Sequence, residues 1–229
     1  MSGLQQDASR GLMAFWADIP EDNLLDFQKW HNCEHMPERV SIPGFNRGCR
    51  YRGWDGRSHF LMFYETATAD VLGSEAYLSA LNAPTPWTRR ALQYFRNPVR
   101  NIYELIGGAG QEGALVAPYI ASLRFNVDES IEAASAERLR AISEMDGVAR
   151  ARLYRVEEAV SGIMTSERKI YGGGPGAQRY LALVECAASP DDMQDLEKLA
   201  ADRLFPSDAP QAENLFFGDY WLEMTYEKR

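Results

Sequence analysis

The sequence predicts an α+β fold in which two tandem ferredoxin-like βαββαβ units pack sheet to sheet. Three observations lead to this prediction. The chain repeats itself after roughly 110 residues, β-rich runs alternate with helical periodicity in each copy, and the βαββαβ order covers only one sheet face with helices. Two copies bury the bare faces against each other, which predicts an incomplete barrel with a ligand-sized cleft between its sheets.

The repeat consists of matching segments that occur in the same order in both halves. Gly107–Gly110 is then the natural linker. We expect residues 1–108 to form the first ferredoxin-like repeat, which carries the site, and residues 109–229 to form a second, degenerate one. The matching segments are 60–67 with 180–187, 43–52 with 146–155 and, more weakly, 102–105 with 221–224.

The individual elements follow from local patterns. Short apolar or alternating runs predict strands, and apolar residues that recur every three or four positions predict helices. Pro37 is expected to end the first helix, and Thr85 before Pro86 is a helix N-cap signal. The expected strands are 11–17, 45–52, 59–66, 99–106, 117–126, 148–156, 178–186 and 215–227. The expected helices are 22–36, 69–81, a short one from Thr85-Pro86, 129–144 and 190–203.

Composition and charge exclude several classes of protein. The 229 residues are 45% hydrophobic and 25% charged, as in ordinary globular proteins, and no stretch approaches the roughly 18 apolar residues of a membrane span. A net charge of −9 without a basic run argues against nucleic-acid or membrane partners. The first residues lack a secretory pattern and the three scattered cysteines indicate reduced thiols, so the expected location is the cytoplasm.

One stretch of the first copy resembles a known superfamily. Trp30, the runs Glu34–Arg39 and Ile42–Phe45, and the pair Arg50-Tyr51 are similar to the dimeric α/β-barrel superfamily, above all to its EthD-like proteins with their Trp…His-x-Pro…Pro-Gly stretch. The resemblance implies an intrachain dimeric α/β barrel. That superfamily hosts cofactor-free polyketide cyclases, muconolactone isomerases, decarboxylase-like and monooxygenase-like enzymes and haem-bearing branches, so the fold transfers better than the reaction.

All three histidines, His31, His35 and His59, lie in the first copy. His35 falls at the expected end of the first helix, where the partial negative charge favours the imidazolium. A histidine that titrates near neutral pH suits proton transfer. We therefore predict His35 as the general acid/base, Glu34 as its orienter and His31 as a further catalytic residue. A histidine that merely caps the helix is the alternative.

The residues from His31 to His35 also spell H-x-x-E-H. On a helix, histidines four residues apart share a face and can hold a metal, with the glutamate as base. A metal-dependent hydrolase is therefore an alternative function, with a third ligand from Glu65 or His59. The leading prediction includes no metal and no cofactor, and a haem on a histidine that faces the cleft is the weakest alternative.

Candidate binding residues lie on the strand at 45–52 and among the aromatic residues. Arginine presents a fork that fits a carboxylate, and tyrosine presents a phenolic donor. Arg50 and Arg52 share one strand face whereas Arg47 and Tyr51 share the other, so only one set faces the cleft. Tyr51 is a catalytic candidate as an oxyanion donor. The expected substrate-binding residues are Arg50, Arg52, Trp16, Tyr64, Tyr103 and Trp221.

These residues favour one leading function. We expect a cofactor-independent lyase of the decarboxylase type, or an isomerase, that acts by general acid/base catalysis on an aromatic or enolisable carboxylic acid in catabolism or secondary metabolism. A non-catalytic small-molecule binding protein is the alternative from another class. The expected partner is an aromatic or polyketide-like carboxylic acid. The tandem copies can satisfy each other in a monomer, and an exposed strand edge equally allows a homodimer.

Overall fold

The computed structural model describes residues 9–57, 59–111, 113, 115–128, 130–193 and 195–228. Eight strands run through this part of the chain. They are β1 (Gly11–Asp18), β2 (Phe45–Gly53), β3 (His59–Thr66), β4 (Arg96–Gly110), β5 (Tyr119–Asn126), β6 (Val148–Val156), β7 (Tyr180–Cys186) and β8 (Glu213–Glu227). The strands pair antiparallel and close into a barrel in the order β1-β3-β2-β8-β5-β7-β6-β4.

Helices pack on the outside of this barrel. They are α1 (Glu21–Trp30), α2 (Met36–Ser41), α3 (Glu75–Asn82), α4 (Pro86–Ala91), α5 (Ser130–Ser143), α6 (Glu158–Ser161), α7 (Ser166–Tyr171) and α8 (Leu196–Leu204). Every expected strand occurs with only its ends displaced, whereas α6 and α7 were not expected. No helix in the described part of the chain is both long and apolar enough to cross a membrane.

The barrel interior is a packed core. Strand alternation turns one side chain in two inward, and an eight-stranded barrel is just wide enough for its own side chains to fill it. The expected open cleft between two sheets is therefore wrong. Two further cores lie between the outer barrel face and the helices, one in each half of the chain. The largest interior side chains are Trp16, Tyr51, Phe63, Tyr103, Tyr154 and Tyr220.

One end of the interior holds a buried ion network. Glu65 accepts hydrogen bonds from Arg47 at 2.6 Å and from Arg152 at 2.7 Å, and Glu185 accepts one from Arg150 at 2.6 Å. Burial raises the pKa of Glu65, but Arg152 and Arg47 together lower it to about 2. Glu65 is therefore a structural anion inside the barrel and not the metal ligand that the sequence suggested.

The glycines expected to link the two halves belong to a strand instead. Gly107 and Gly110 lie in β4 and pair with β6. A Cβ on Gly107 would lie 3.4 Å from Ser135 Oγ and 3.6 Å from Leu139 of α5, so glycine lets that helix approach the strand closely. The connection between the halves is the stretch between Gly110 and Tyr119.

The first helix does not end at Pro37. A π turn, His31–His35, joins α1 to α2, and the Met36 N–H bonds to the His31 carbonyl five residues earlier. Pro37 then lies in the first turn of α2, where its missing N–H is tolerated. The chain thus stays helical beyond Pro37 to Ser41, whereas the proline rule predicts an end at Pro37.

Candidate functional site

A cavity of about 40 Å³ lies between the outer face of β1 and β3 and the helices of the first half. On the scale where one water needs roughly 10–15 Å³, it has room for a few waters. Half of its lining residues carry an aromatic ring, if the two imidazoles are included. The lining residues are Met13, Phe15, Trp30, His31, His35, Arg39, Met62, Tyr64, Tyr77, Leu81, Leu92, Phe95, Arg100, Thr165, Glu167 and Tyr171.

The π turn aims both histidines at this cavity. The rings of His31 and His35 stack at a centroid distance of 5.7 Å, and His35 lies 4.4 Å from the Trp30 ring. Trp30 is itself fixed, because its Nε1 donates to Thr88 Oγ1 at 3.0 Å. π turns inside helices are frequent at functional sites. The geometry therefore holds His35 rigidly against a tryptophan face.

Both histidines are neutral in the folded protein. Burial first, and then the positive charge of Arg50, lowers the pKa of His31 well below its usual range. Burial, followed by the charges of Arg39 and His31, lowers the pKa of His35 in the same way. The expectation that a helix C-terminus favours the imidazolium of His35 is wrong, because the helix continues beyond it.

Arg50 is occupied by structural contacts. Its Nη1 donates to His31 Nδ1 at 3.0 Å and to Asn32 Oδ1 at 2.8 Å, and its Nε donates to Glu223 at 2.5 Å. Because arginine has no acceptor, His31 Nδ1 must be the unprotonated nitrogen of that ring. Arg50 therefore fastens β2 to β8 and to the π turn, and it is not the carboxylate anchor that the sequence suggested.

Three buried polar atoms around the cavity lack a hydrogen-bond partner within the described residues: His35 Nδ1, Tyr64 Oη and Arg39 Nη1. Arg39 uses Nη2 instead, which lies 2.5 Å from Glu167 of the second half. Its Nη1 is 3.3 Å from the Glu38 carboxylate without forming a hydrogen bond. Unpartnered buried groups are rare in folded proteins, so this concentration marks the cavity as the place for a polar ligand.

The charge of the cavity is net positive. Arg39 and Arg100 both line it, and Glu167 is the carboxylate among its lining residues. Arg100 donates to Tyr77 Oη at 3.3 Å. Burial raises the pKa of Glu167, although Arg39 opposes this effect. Two guanidinium groups against one carboxylate give the site a preference for an anion.

The remaining catalytic predictions lie outside the cavity. Glu34 accepts hydrogen bonds from Thr85 Oγ1 at 2.6 Å and Thr88 Oγ1 at 2.9 Å, so it ties the π turn to α4 and does not orient His35. Tyr51 points into the barrel and donates to the Ala117 carbonyl at 2.8 Å. Glu34 and Tyr51 are both structural in this geometry.

The metal alternative has no ligand set. Across the described ranges, no group of three or more His, Cys, Asp and Glu side chains is placed to hold an ion. The Nδ1 atom of His31 accepts a hydrogen bond from Arg50. His59 lies at the barrel mouth, where it contacts Asp18 at 2.5 Å and Tyr220 at 3.2 Å. The H-x-x-E-H residues therefore do not assemble a set of metal ligands within the described part of the chain.

Of the predicted substrate-binding residues, the cavity gathers Tyr64 alone. Trp16 and Tyr103 belong to the barrel interior. Arg52 lies over the Phe60 ring at 5.9 Å, and Trp221 is a partly buried residue of β8. Sequence reasoning missed Arg39, Arg100 and Glu167. Arg39 carries a signal, since it follows His35 by one helical turn, but Arg100 and Glu167 carry none.

Comparison with known proteins identifies the fold. No family model and no curated protein sequence matches this chain. Among solved structures, a candidate monooxygenase from Lactobacillus acidophilus has a TM-score of 0.57 at 6% identity, covering 95% of this chain and 96% of its own. An anthrone oxidase-like protein has a TM-score of 0.58 at 10% identity, covering 96% and 94%. A candidate chlorite dismutase has a TM-score of 0.53 at 10% identity, covering 93% and 95%.

These matches correct the functional prediction. At such low identity they show the fold alone, which is the mixed α+β barrel of the dimeric α/β-barrel type. The names of these structures are oxidative, and none is a lyase or an isomerase. The expectation of a cofactor-independent lyase or isomerase is therefore wrong. The geometry agrees in one respect, because Arg50 is held by Glu223 and cannot anchor a carboxylate.

The residues present do not fit a haem. The cavity has room for a few waters and not for a macrocycle. A haem also needs an axial ligand that faces open space. His31 is held by Arg50, and His35 is packed against Trp30. No step of the chemistry is therefore assigned to a haem.

Proposed function

We propose that this chain is an oxidoreductase of the oxygenase type that acts on a small planar phenol or enolisable ketone. The observation that carries the proposal is the pair of unpartnered buried atoms, His35 Nδ1 and Tyr64 Oη, in a cavity walled by rings. These two atoms can both form hydrogen bonds with a single oxygen atom of a flat ligand. The names of the structural neighbours, monooxygenase and anthrone oxidase-like, support an oxidative reaction.

The proposed reaction converts a methylene group beside an aromatic carbonyl into a second carbonyl. The carbon loses two hydrogens and gains one atom of dioxygen, and the other oxygen atom leaves with those hydrogens as water. The first step is the loss of a proton from carbon or from the enol oxygen, and neutral His35 accepts it. The anion that forms raises the pKa of His35 again, because an opposite charge favours the imidazolium.

The arginines and Tyr64 stabilise that anion. Arg39 and Arg100 place positive charge at the cavity wall, and the Tyr64 hydroxyl has a free proton to donate to the enolate or phenolate oxygen. In a site shielded from bulk water, such fixed donors stabilise developing charge strongly. The electron-rich anion then reacts with dioxygen more readily than the neutral substrate does.

Residues 157–178, which we call the cover segment, close the cavity. This segment comes from the second half between β6 and β7, and it contributes Thr165, Glu167 and Tyr171 to the wall. An aromatic substrate needs more room than the closed cavity offers. Entry of the substrate therefore requires the cover segment to move away from the first half.

Several predictions from the sequence belong to this proposal. We infer that the chain arose by tandem duplication, with units at 1–108 and 109–229, and that the stretch around Trp30 reflects an EthD-like ancestor. A homodimer and a cytoplasmic location also remain predictions. The barrel closes within one chain, so barrel closure does not require a second copy.

Oxygen consumption tests the proposed function. Purified protein is mixed with fused-ring ketones and polyphenols in an oxygen-electrode cell, and product is quantified by mass spectrometry. We expect one series to consume dioxygen in a one-to-one ratio with product. His35→Gln should lower turnover about 100-fold or more, the usual contribution of a positioned acid or base.

The matched control is His59→Gln, because His59 lies at the barrel mouth and not in the cavity. That variant should keep full turnover. Unchanged turnover in His35→Gln would contradict the assigned role. Binding without oxygen uptake across the panel would contradict the oxygenase assignment itself.

A further inference from the structure

The mouth of the barrel opposite the Glu65 network holds an arginine in an unusual setting. Trp16 and Arg124 are the sixth residues of β1 and β5, two strands of eight residues that lie opposite each other in the closed barrel. They meet across the barrel, with Arg124 Cζ 4.4 Å from the Trp16 ring centroid. Phe216, the β8 neighbour of Arg124, lies on it at 5.4 Å.

Arg124 has no acceptor of its own. Within the described residues it forms no ion pair and no hydrogen bond. Its guanidinium group makes cation–π contacts with the rings of Trp16 and Phe216. Burial lowers the pKa of Arg124, and no carboxylate offsets this effect. The arginines at the other end of the barrel differ, since Arg47, Arg150 and Arg152 all pair with Glu65 or Glu185.

Other donors surround Arg124. Trp16 is 1% exposed, and its Nε1 has no partner within the described residues. Tyr103 Oη accepts from Asn101 Nδ2 at 2.9 Å, which leaves its own proton to donate. The carboxylate of Asp18, two residues after Trp16 on β1, is bound by His59 and Asn97. A cluster of donors around a guanidinium that pairs with no carboxylate favours an anion.

We propose that Arg124 anchors a second ligand site, at the barrel mouth, for a carboxylate carried on an apolar group. The rings of Trp16 and Phe216 lie 4.4 and 5.4 Å from the guanidinium carbon, and no protein carboxylate within the described residues pairs with its N–H groups. Those N–H groups can bind a carboxylate in a bidentate way. Phe216 is 52% exposed and offers a ring for the apolar part of the ligand. This site is separate from the His35 cavity and does not rest on its function.

Calorimetric titration of the full chain with sodium benzoate tests the proposal. We expect saturable binding, and Arg124→Gln should weaken it about ten-fold or more, as befits the loss of a charge-assisted pair. The matched control is Arg155→Gln, a half-exposed strand arginine paired with Glu132, which should leave benzoate binding unchanged. His35→Gln should leave it unchanged as well.

A second variant keeps the test independent of the folding of Arg124→Gln. Phe216 is exposed, so Phe216→Ala should fold, and it should weaken benzoate binding but not acetate binding. Unchanged benzoate affinity in Arg124→Gln would overturn the proposal, as would a loss of binding in His35→Gln or no saturation by about 10 mM. Inorganic phosphate bound more tightly than benzoate would overturn the carboxylate assignment.

Discussion

The buried ion pair between Arg39 and Glu167 fastens the cover segment to α2. The two side chains are 1% and 5% exposed, and the closest atoms are 2.5 Å apart. Removal of one partner from a buried pair leaves an uncompensated charge, at a cost of roughly 3–5 kcal/mol. Glutamine at position 167 still accepts a hydrogen bond, so we expect Glu167→Gln to lower the free energy of unfolding by about 2–4 kcal/mol.

Urea denaturation followed by circular dichroism measures this loss. For a chain of this size, each kcal/mol shifts Tm by about 2–4 °C, so Tm should fall by about 4–16 °C. The matched control is Glu132→Gln: its partner Arg155 is 36% exposed, and the glutamine oxygen can still accept the hydrogen bond that Tyr180 Oη donates to Glu132. Because exposed pairs contribute little, the control should lose about 1 kcal/mol at most.

The difference between the free energies of unfolding of the two variants tests whether the Arg39–Glu167 pair is buried. A loss in Glu167→Gln no larger than in Glu132→Gln would refute the claim that the pair is buried and fastens the cover segment. The proposed function adds a second outcome. Arg39 loses its own carboxylate in Glu167→Gln, so an anionic ligand of the cavity should raise Tm more in this variant than in the unaltered chain.

Three further predictions follow from burial and close contact. Because the pKa of His35 is lowered in the folded protein, the unfolded chain takes up a proton near pH 6.5 and the folded chain does not. The free energy of unfolding should therefore fall as the pH drops below about 6.5. In urea titrations at several pH values, His35→Gln should make this fall smaller. Cys33 is exposed, whereas burial raises the pKa of the Cys49 and Cys186 thiols to about 12, so a thiol reagent should modify one cysteine in the native protein and three in denaturant. A Cβ on Gly173 would lie 2.9 Å from Pro98, so Gly173→Ala should speed proteolysis of the cover segment, whereas Gly174→Ala, with room for a Cβ, should not.

The strands were predictable because their signal is local. Alternation of side chains reports which residues face a core, and the order of elements follows from that pattern. Closure of the barrel depends on pairs that join the two halves, β2 with β8 and β4 with β6, and no local pattern encodes them. The same limit explains the error about the cleft, since an interior filled by rings follows only from closure.

The site was half predictable for a similar reason. His31, His35 and Tyr64 stand out by residue type or by position on an aromatic strand. Glu167 is separated from Arg39 by 128 residues, so the local sequence around either residue does not predict their contact. Pro37 misled the helix prediction, because the π turn that absorbs it has no simple sequence signature. The expected protonation of His35 failed with that helix end.

The cover segment is part of the second half in sequence, but it packs against the first half. Its Glu157 N–H bonds to the Ile102 carbonyl at 2.8 Å, and its Gly176 N–H bonds to Asn101 Oδ1 at 2.8 Å. Both acceptors lie in β4. The first half without this segment would expose the wall of its cavity, and both halves would lose the strand pairs that close the barrel.

We therefore expect neither half to fold by itself, even though each contains four strands with helices packed on them. Residues 1–110 and 111–229, expressed separately, should show little native circular dichroism and no cooperative unfolding, and mixing them should restore both. A cooperative transition in either isolated half would contradict this expectation. It would mean that the core between the barrel and the helices of that half is sufficient for folding. The first half could then form the cavity without the cover segment.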